Sequence, residues 1–245
     1  MKSDDECLMI AIGKWLSKLD QVPGWREWKK KVTSTAYWFD DNYLDTAPVS
    51  KQFTLPTDLD RERAVIECYL ALHSTLASLR DCEYYFRRFP FRGMPISKHD
   101  HLRHICEMYF SHFYEFKTRL SECLNAVNAI LDQSNKLKMG VVIKAFSKEF
   151  DQEIRERNNI HHHNRFEDLA LDNLFLTALP MEDEKRASIH TRRHNAAYRR
   201  ASNEWATRVV HRTPKIENYL NGVAGIILAN CPFVACFVNA SASDE

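Results

Sequence analysis

The sequence predicts an all-α protein, an up-and-down helical bundle from residue 57 onward preceded by an N-terminal helical extension over 1–56. Three observations carry this. Apolar residues recur at three- and four-residue spacing over long stretches, which places them on one face of a helix. No stretch of convincing length alternates apolar and polar residues as a strand would. The chain holds only 6 Gly and 8 Pro in 245 residues, too few for the dense turns of an all-β protein.

The elements follow in order. Residues 7–20 carry apolar side chains at 8, 9, 12, 15, 16 and 19, and the QVPG stretch then breaks the helix. The aromatic-rich WREWKKKVTSTAYWFDDNYL fits a second short helix. Two prolines within 45–58 mark a linker, and we place a boundary there. Thr57 and Asp58 are good N-caps for a long helix that ends near Arg87 and Arg88, cations suited to its C-terminus. After PFRGMPIS, Ser97 caps a second long helix over about 98–137, closed by KLKMG with Gly140 as C-cap. A third helix runs from about 141 through RERNNIHHHNRF towards Leu179. Pro180 and MEDE interrupt the pattern. A strongly basic helix spans 182–212, and Pro214 opens a final apolar helix from its favoured first position. The bundle, with the basic helix, spans 57–245.

The bulk composition excludes several classes. A formal charge of +1 rules out a polycation, so any polyanion contact rests on a local patch. The 7 cysteines form no Cys-x-x-Cys pair, and most sit in helical patterns as small apolar residues, which points to a reducing, cytoplasmic setting. The acidic start MKSDDEC is followed by no apolar run with a cleavage site, and the apolar run 222–238 is broken by Asn230 and Pro232. No membrane association is expected.

Three adjacent histidines, His161, His162 and His163, follow Arg157 and Asn158. On a helix they splay by about 100° each and cannot converge on one ion. His99, His101, His104 and His112 read as surface or partly buried bundle residues. We therefore expect no metal and no cofactor. An imidazole beside a guanidinium instead suits metal-free RNA cleavage. The imidazole removes the proton of the 2′-hydroxyl, and the guanidinium holds the charge that gathers on the phosphate.

The run Arg157-Asn158-Asn159-Ile160-His161-His162 resembles the signature of the HEPN superfamily: Arg, a polar residue, three more residues, then His. Helix order is similar too, with two long amphipathic helices before the motif helix. The resemblance implies a metal-independent endoribonuclease that pairs as a homodimer, so that two motifs face one cleft. It implies Arg157 on the scissile phosphate, His162 as general base or acid, and Asn158 as the orienting residue. His161 and His163 remain alternative catalytic histidines. It further implies a role in defence or stress response, with an antitoxin or nucleotidyltransferase partner.

The second feature is the basic stretch. Lys185, Arg192 and Arg199 recur at sevens, as do Arg186, Arg193 and Arg200. On a helix they make a positive face about 20 Å long, suited to an RNA backbone. Arg208 and Arg212 extend the run. Ile189, Ala196, Ala197, Ala201, Trp205 and Val209 form the expected packing side. This face also supports a rival reading, a non-catalytic helical module that binds a nucleic acid or an acidic protein.

Overall fold

A computed structural model describes the backbone of residues 2–38, 53–91, 93–162, 166–178 and 187–235, and their side chains except at 34–38, 161–162 and 187. Every regular element among the described residues is helical: α1 (Asp4–Leu19), α2 (Trp25–Trp38), α3 (Thr57–Arg87), α4 (Lys98–Ile130), a 3₁₀ turn (Gln133–Asn135), α5 (Met139–Glu149), α6 (Asp151–His162), α7 (Leu169–Leu176) and α8 (Ala187–Asn230). Among these residues no helix is long and apolar enough to cross a membrane. The chain divides into two compact units, one of segments 1–69, 125–137 and 221–245 and the other of 70–124 and 138–220. The boundary expected before Thr57 falls inside the first segment.

In the first unit, α1 starts with a reciprocal capping box. Ser3 Oγ accepts from the Glu6 amide, and the Glu6 carboxylate accepts from the Ser3 amide. The helix buries Leu8, Ile12, Trp15 and Leu19 of the apolar stripe read from its sequence, while Met9 and Leu16 of that stripe are exposed. The Trp15 indole donates to Glu62 at 2.5 Å, and the Tyr69 hydroxyl donates to Asp5 at 2.5 Å, so the two largest buried rings both place their polar ends on carboxylates. A Cβ at Gly225 of α8 would meet Asp4 Oδ2 at 2.7 Å, so that exposed carboxylate would have to turn aside. Gly24, at φ +79°, makes the turn between α1 and α2. Beyond it Trp25, Trp28 and Phe53 cluster with ring centroids 5.0–5.6 Å apart.

Helix α4 ends at Ile130, seven residues short of the expected end. Asn128 is the reason: its side chain accepts from the Leu137 amide at 2.7 Å and donates to the Leu137 carbonyl at 3.3 Å, folding the chain back. Gly140, expected as a C-cap, lies in the first turn of α5.

The second unit is built on aromatic packing. Trp205 of α8 stacks on Phe86 and meets Phe110 and Phe166 edge-on, at centroid distances of 5.4–5.7 Å. Phe113, Phe146 and Phe150 form a second layer. The expected third helix is in fact three. Phe150, fully buried, leaves the helical region at φ −112°, ψ 30° and separates α5 from α6. Asp168 then caps α7, accepting from the amides of Ala170 and Leu171. The expected break at Pro214 is absent. Helix α8 passes straight through it, because Val209, Thr213, Ile216 and Leu220 are all buried and outweigh one lost backbone hydrogen bond. Of the expected packing side, Ala201, Trp205 and Val209 are buried. Ile189 and Ala196 are exposed, since α8 meets the core only from about Ala201 onward within this unit.

Candidate functional site

Helix α6 carries the Arg-Asn-His motif in the second unit. Its first turn holds Asp151 and Glu153, acids that suit the positive end of the helix dipole. Asp151 pairs with Arg155 at 2.6 Å on the exposed side. Glu153 points the other way. It is completely buried and takes Arg212 at 2.9 Å and Arg208 at 3.6 Å, both from α8. Arg208 also lies over the Trp205 ring at 4.9 Å. Glu153 therefore faces the arginines of α8 and not those of its own helix.

One turn later Arg157 emerges half-buried. Its guanidinium lies 3.9 Å from the centre of the Tyr114 ring, a close cation–π contact, and Nη1 donates to Asn158 Oδ1 at 3.3 Å. Among the described residues no carboxylate stands within ion-pair distance of Arg157. It forms one wall of a cleft of about 420 Å³ with Ser111, Tyr114, Glu115, Thr118, Arg119 and Glu122. Arg119 is committed to structure, donating to the Ala71 carbonyl at 2.7 Å and to Thr75 Oγ1 at 2.6 Å, and pairing with Glu115 at 2.7 Å. Of the two cations, only Arg119 has an ion pair among the described residues.

His161 and His162 occupy the last turn of α6, with backbone positions four residues from Arg157 and Asn158 respectively, so each follows its partner along one helix face. Their side chains, and all of His163, lie outside the described residues. So do Lys185 and Arg186. Arg192, Arg193, Arg199 and Arg200 are all exposed on the first half of α8, with no ion pair among the described residues. Lys98 stands beside this face, its ammonium donating to Asn195 at 2.6 Å and lying 5.1 Å from the Tyr198 ring. His194 is half-buried within 3.3 Å of the Thr177 hydroxyl. Burial, then the neighbouring Lys98 and His190, hold its pKa below the ordinary 6.5.

Two other histidines, His101 and His112, have structural employment. His101 Nε2 donates to the Arg88 carbonyl at 2.9 Å, which fixes its tautomer, and His112 contacts Glu115 at 3.2 Å. Among the described residues no three His, Cys, Asp or Glu side chains gather in a way that could hold a metal. Burial pushes the Cys82 thiol up to about 12 and the Cys231 thiol up to about 11, with Asp81 and Glu62 adding to it, so neither is a thiolate nucleophile near neutral pH.

No protein-family model matches the chain, and no curated protein and no solved structure shows significant similarity to it. The site is therefore read from its own chemistry. Sequence reasoning missed Tyr114 and the buried role of Glu153. Tyr114 sits in a run of aromatics whose neighbours Phe113 and Phe116 are core, and nothing local marks it as the outward one. Glu153 meets partners more than fifty residues away, a contact no local pattern announces.

Proposed function

We propose that the protein is a HEPN-type endoribonuclease that cleaves RNA by attack of its own 2′-hydroxyl, without a metal. The observation that carries the reading is Arg157: a guanidinium with no carboxylate in ion-pair distance among the described residues, oriented by a tyrosine ring, at the edge of a cleft and one turn from a helix end bearing histidines. Arg157 binds the scissile phosphate and stabilises the charge of the transition state. His162 removes the 2′-hydroxyl proton or protonates the leaving 5′-oxygen, and Asn158 orients the group. His161 and His163 are the alternatives to His162. A second copy of the chain supplies the complementary acid or base in a homodimer. The exposed arginines 192, 193, 199 and 200 hold the substrate backbone.

The test is incubation with mixed-sequence RNA in excess EDTA. Fragments ending in 2′,3′-cyclic phosphate are expected from the wild type. Arg157→Ala and His162→Ala should each slow cleavage about 10²–10⁴-fold, the usual contribution of such groups, while RNA affinity changes little. A second reading has its own support in the exposed arginine face: a binding module without catalysis. Retained RNA affinity with no cleavage by any form of the protein would establish that reading in place of the first.

A further inference from the structure

Helix α6 is a poor candidate for a stable helix. It has 12 residues, and an isolated helix of that length is marginal in water. Between Asp151 and Ile160 only Glu153 and Ile154 are buried, and Ile154 is its sole buried apolar side chain there. A hydrophobic face this narrow does not hold a helix in one orientation. The other buried residue is a carboxylate with no exposed surface, gripped by Arg212 and Arg208. It precedes Arg157 by four residues, so the two lie on adjacent turns of one face. The motif turn thus projects from a root fixed by one ion-pair cluster and is steadied farther along by the Arg157–Tyr114 contact.

We infer that Glu153 is the anchor of the motif helix, a positioning residue whose buried ion pairs with Arg208 and Arg212 set where Arg157 and the histidine-bearing helix end stand. Its catalytic consequence rests on the ribonuclease reading; the anchoring itself does not. The pairing is suited to the task. Both contacts fall on Oε1, from Arg212 Nε at 2.9 Å and Arg208 Nη2 at 3.6 Å, and neither aligns as a hydrogen bond, so the hold is that of opposite charges kept out of water. A buried charge pair also has no low-energy alternative, because an unpaired partner stays stranded away from water.

The experiment uses the full chain and Glu153→Gln, which keeps the shape and removes the charge. Hydrogen exchange is read at the amides of 157–162, and RNA cleavage is followed as kcat and KM separately. Roughly tenfold or faster exchange is expected at those amides, with the α8 amides after Trp205 unchanged, as for local opening of one element. On RNA, kcat should fall at least about tenfold with KM nearly constant, because substrate is held by arginines elsewhere while the transition state loses its aligned groups. Unchanged exchange overturns the anchor. Unchanged kcat with faster exchange overturns its positioning role. Absence of cleavage by the wild type overturns the ribonuclease reading alone, and the exchange data still decide the anchor. If Glu153→Gln loses its helical circular dichroism, Arg212→Lys replaces it. That variant retains the charge and removes the Nε contact with Glu153 Oε1, with the same pattern expected at smaller size.

Discussion

The two halves of α8 within the second unit carry arginines at similar density and use them in opposite ways. Arg192, Arg193, Arg199 and Arg200 are exposed and unpaired among the described residues. Arg208 and Arg212, two and three turns farther on, are only 28% and 24% exposed and converge on the buried Glu153. The change coincides with Ala201, Trp205 and Val209, where the helix begins to bury a side. An arginine on a wholly solvated turn is free to meet a phosphate. An arginine beside a buried tryptophan and an acid of another helix is part of the fold. Charge density along a sequence therefore does not measure a binding surface; the apolar residues between the charges decide which side they take.

The contrast is broken most severely at its buried end. Replacing Glu153 by Ala strands two guanidinium groups partly out of water, and a broken buried ion pair costs about 3–5 kcal/mol. Arg199→Ala, on the solvated half, should stay within about 0.5 kcal/mol of wild type. Urea denaturation of both variants reads the difference directly as a shift in midpoint at constant slope. Equal midpoints would mean that the Glu153 cluster contributes no more than surface charge.

The exposed end is tested by binding. Replacing Arg192, Arg193, Arg199 and Arg200 together by Gln should weaken RNA binding strongly and reduce the slope of log affinity against log salt by about 3, since each phosphate contact to a single strand releases about 0.7 counterion. Replacing Arg212 by Gln should leave that slope unchanged, because its guanidinium faces Glu153. Tyr114→Ala is an intermediate case. It removes the ring under Arg157 and with it about 0.5–1 kcal/mol of cation–π attraction. Its effect should appear in kcat, with little change in RNA affinity.

Helical content was legible in the sequence because it rests on periodicity, which is local. The cap at Ser97 and the stripe of α1 follow the same logic; the cap stands where the pattern puts it, and of the stripe positions 8, 12, 15 and 19 are buried. The interruptions were not legible, since each depends on a tertiary partner. Phe150 breaks a helix because it is drawn into the aromatic core. Pro214 fails to break one because buried neighbours hold both flanks. Asn128 ends α4 by bonding a residue nine positions on. The candidate site divides in the same way. Arg157 and Asn158 stand out by spacing, whereas Tyr114 and Glu153 gain their roles from contacts between helices.

The smallest expected effect concerns His194, on the exposed half of α8 yet turned partly inward towards Thr177. Burial lowers its pKa from 6.5, helped by Lys98 and His190. A base whose folded pKa is depressed favours folding when neutral. The contribution is complete above the unfolded value and is lost as pH falls through the folded one. Stability should therefore be flat in this term above about pH 7 and decline as pH falls below 6.5. His194→Gln should flatten that decline and leave the midpoint above pH 7 nearly unchanged. RNA affinity should move in the opposite direction over the same window, because protonation adds positive charge to the face that carries Arg192 and Arg199. If the two trends run together, His194 is a neighbour of the positive face in sequence only. If they oppose each other, one side chain reports both the packing of the helix and its charge, and the line between the two uses of α8 passes close to it.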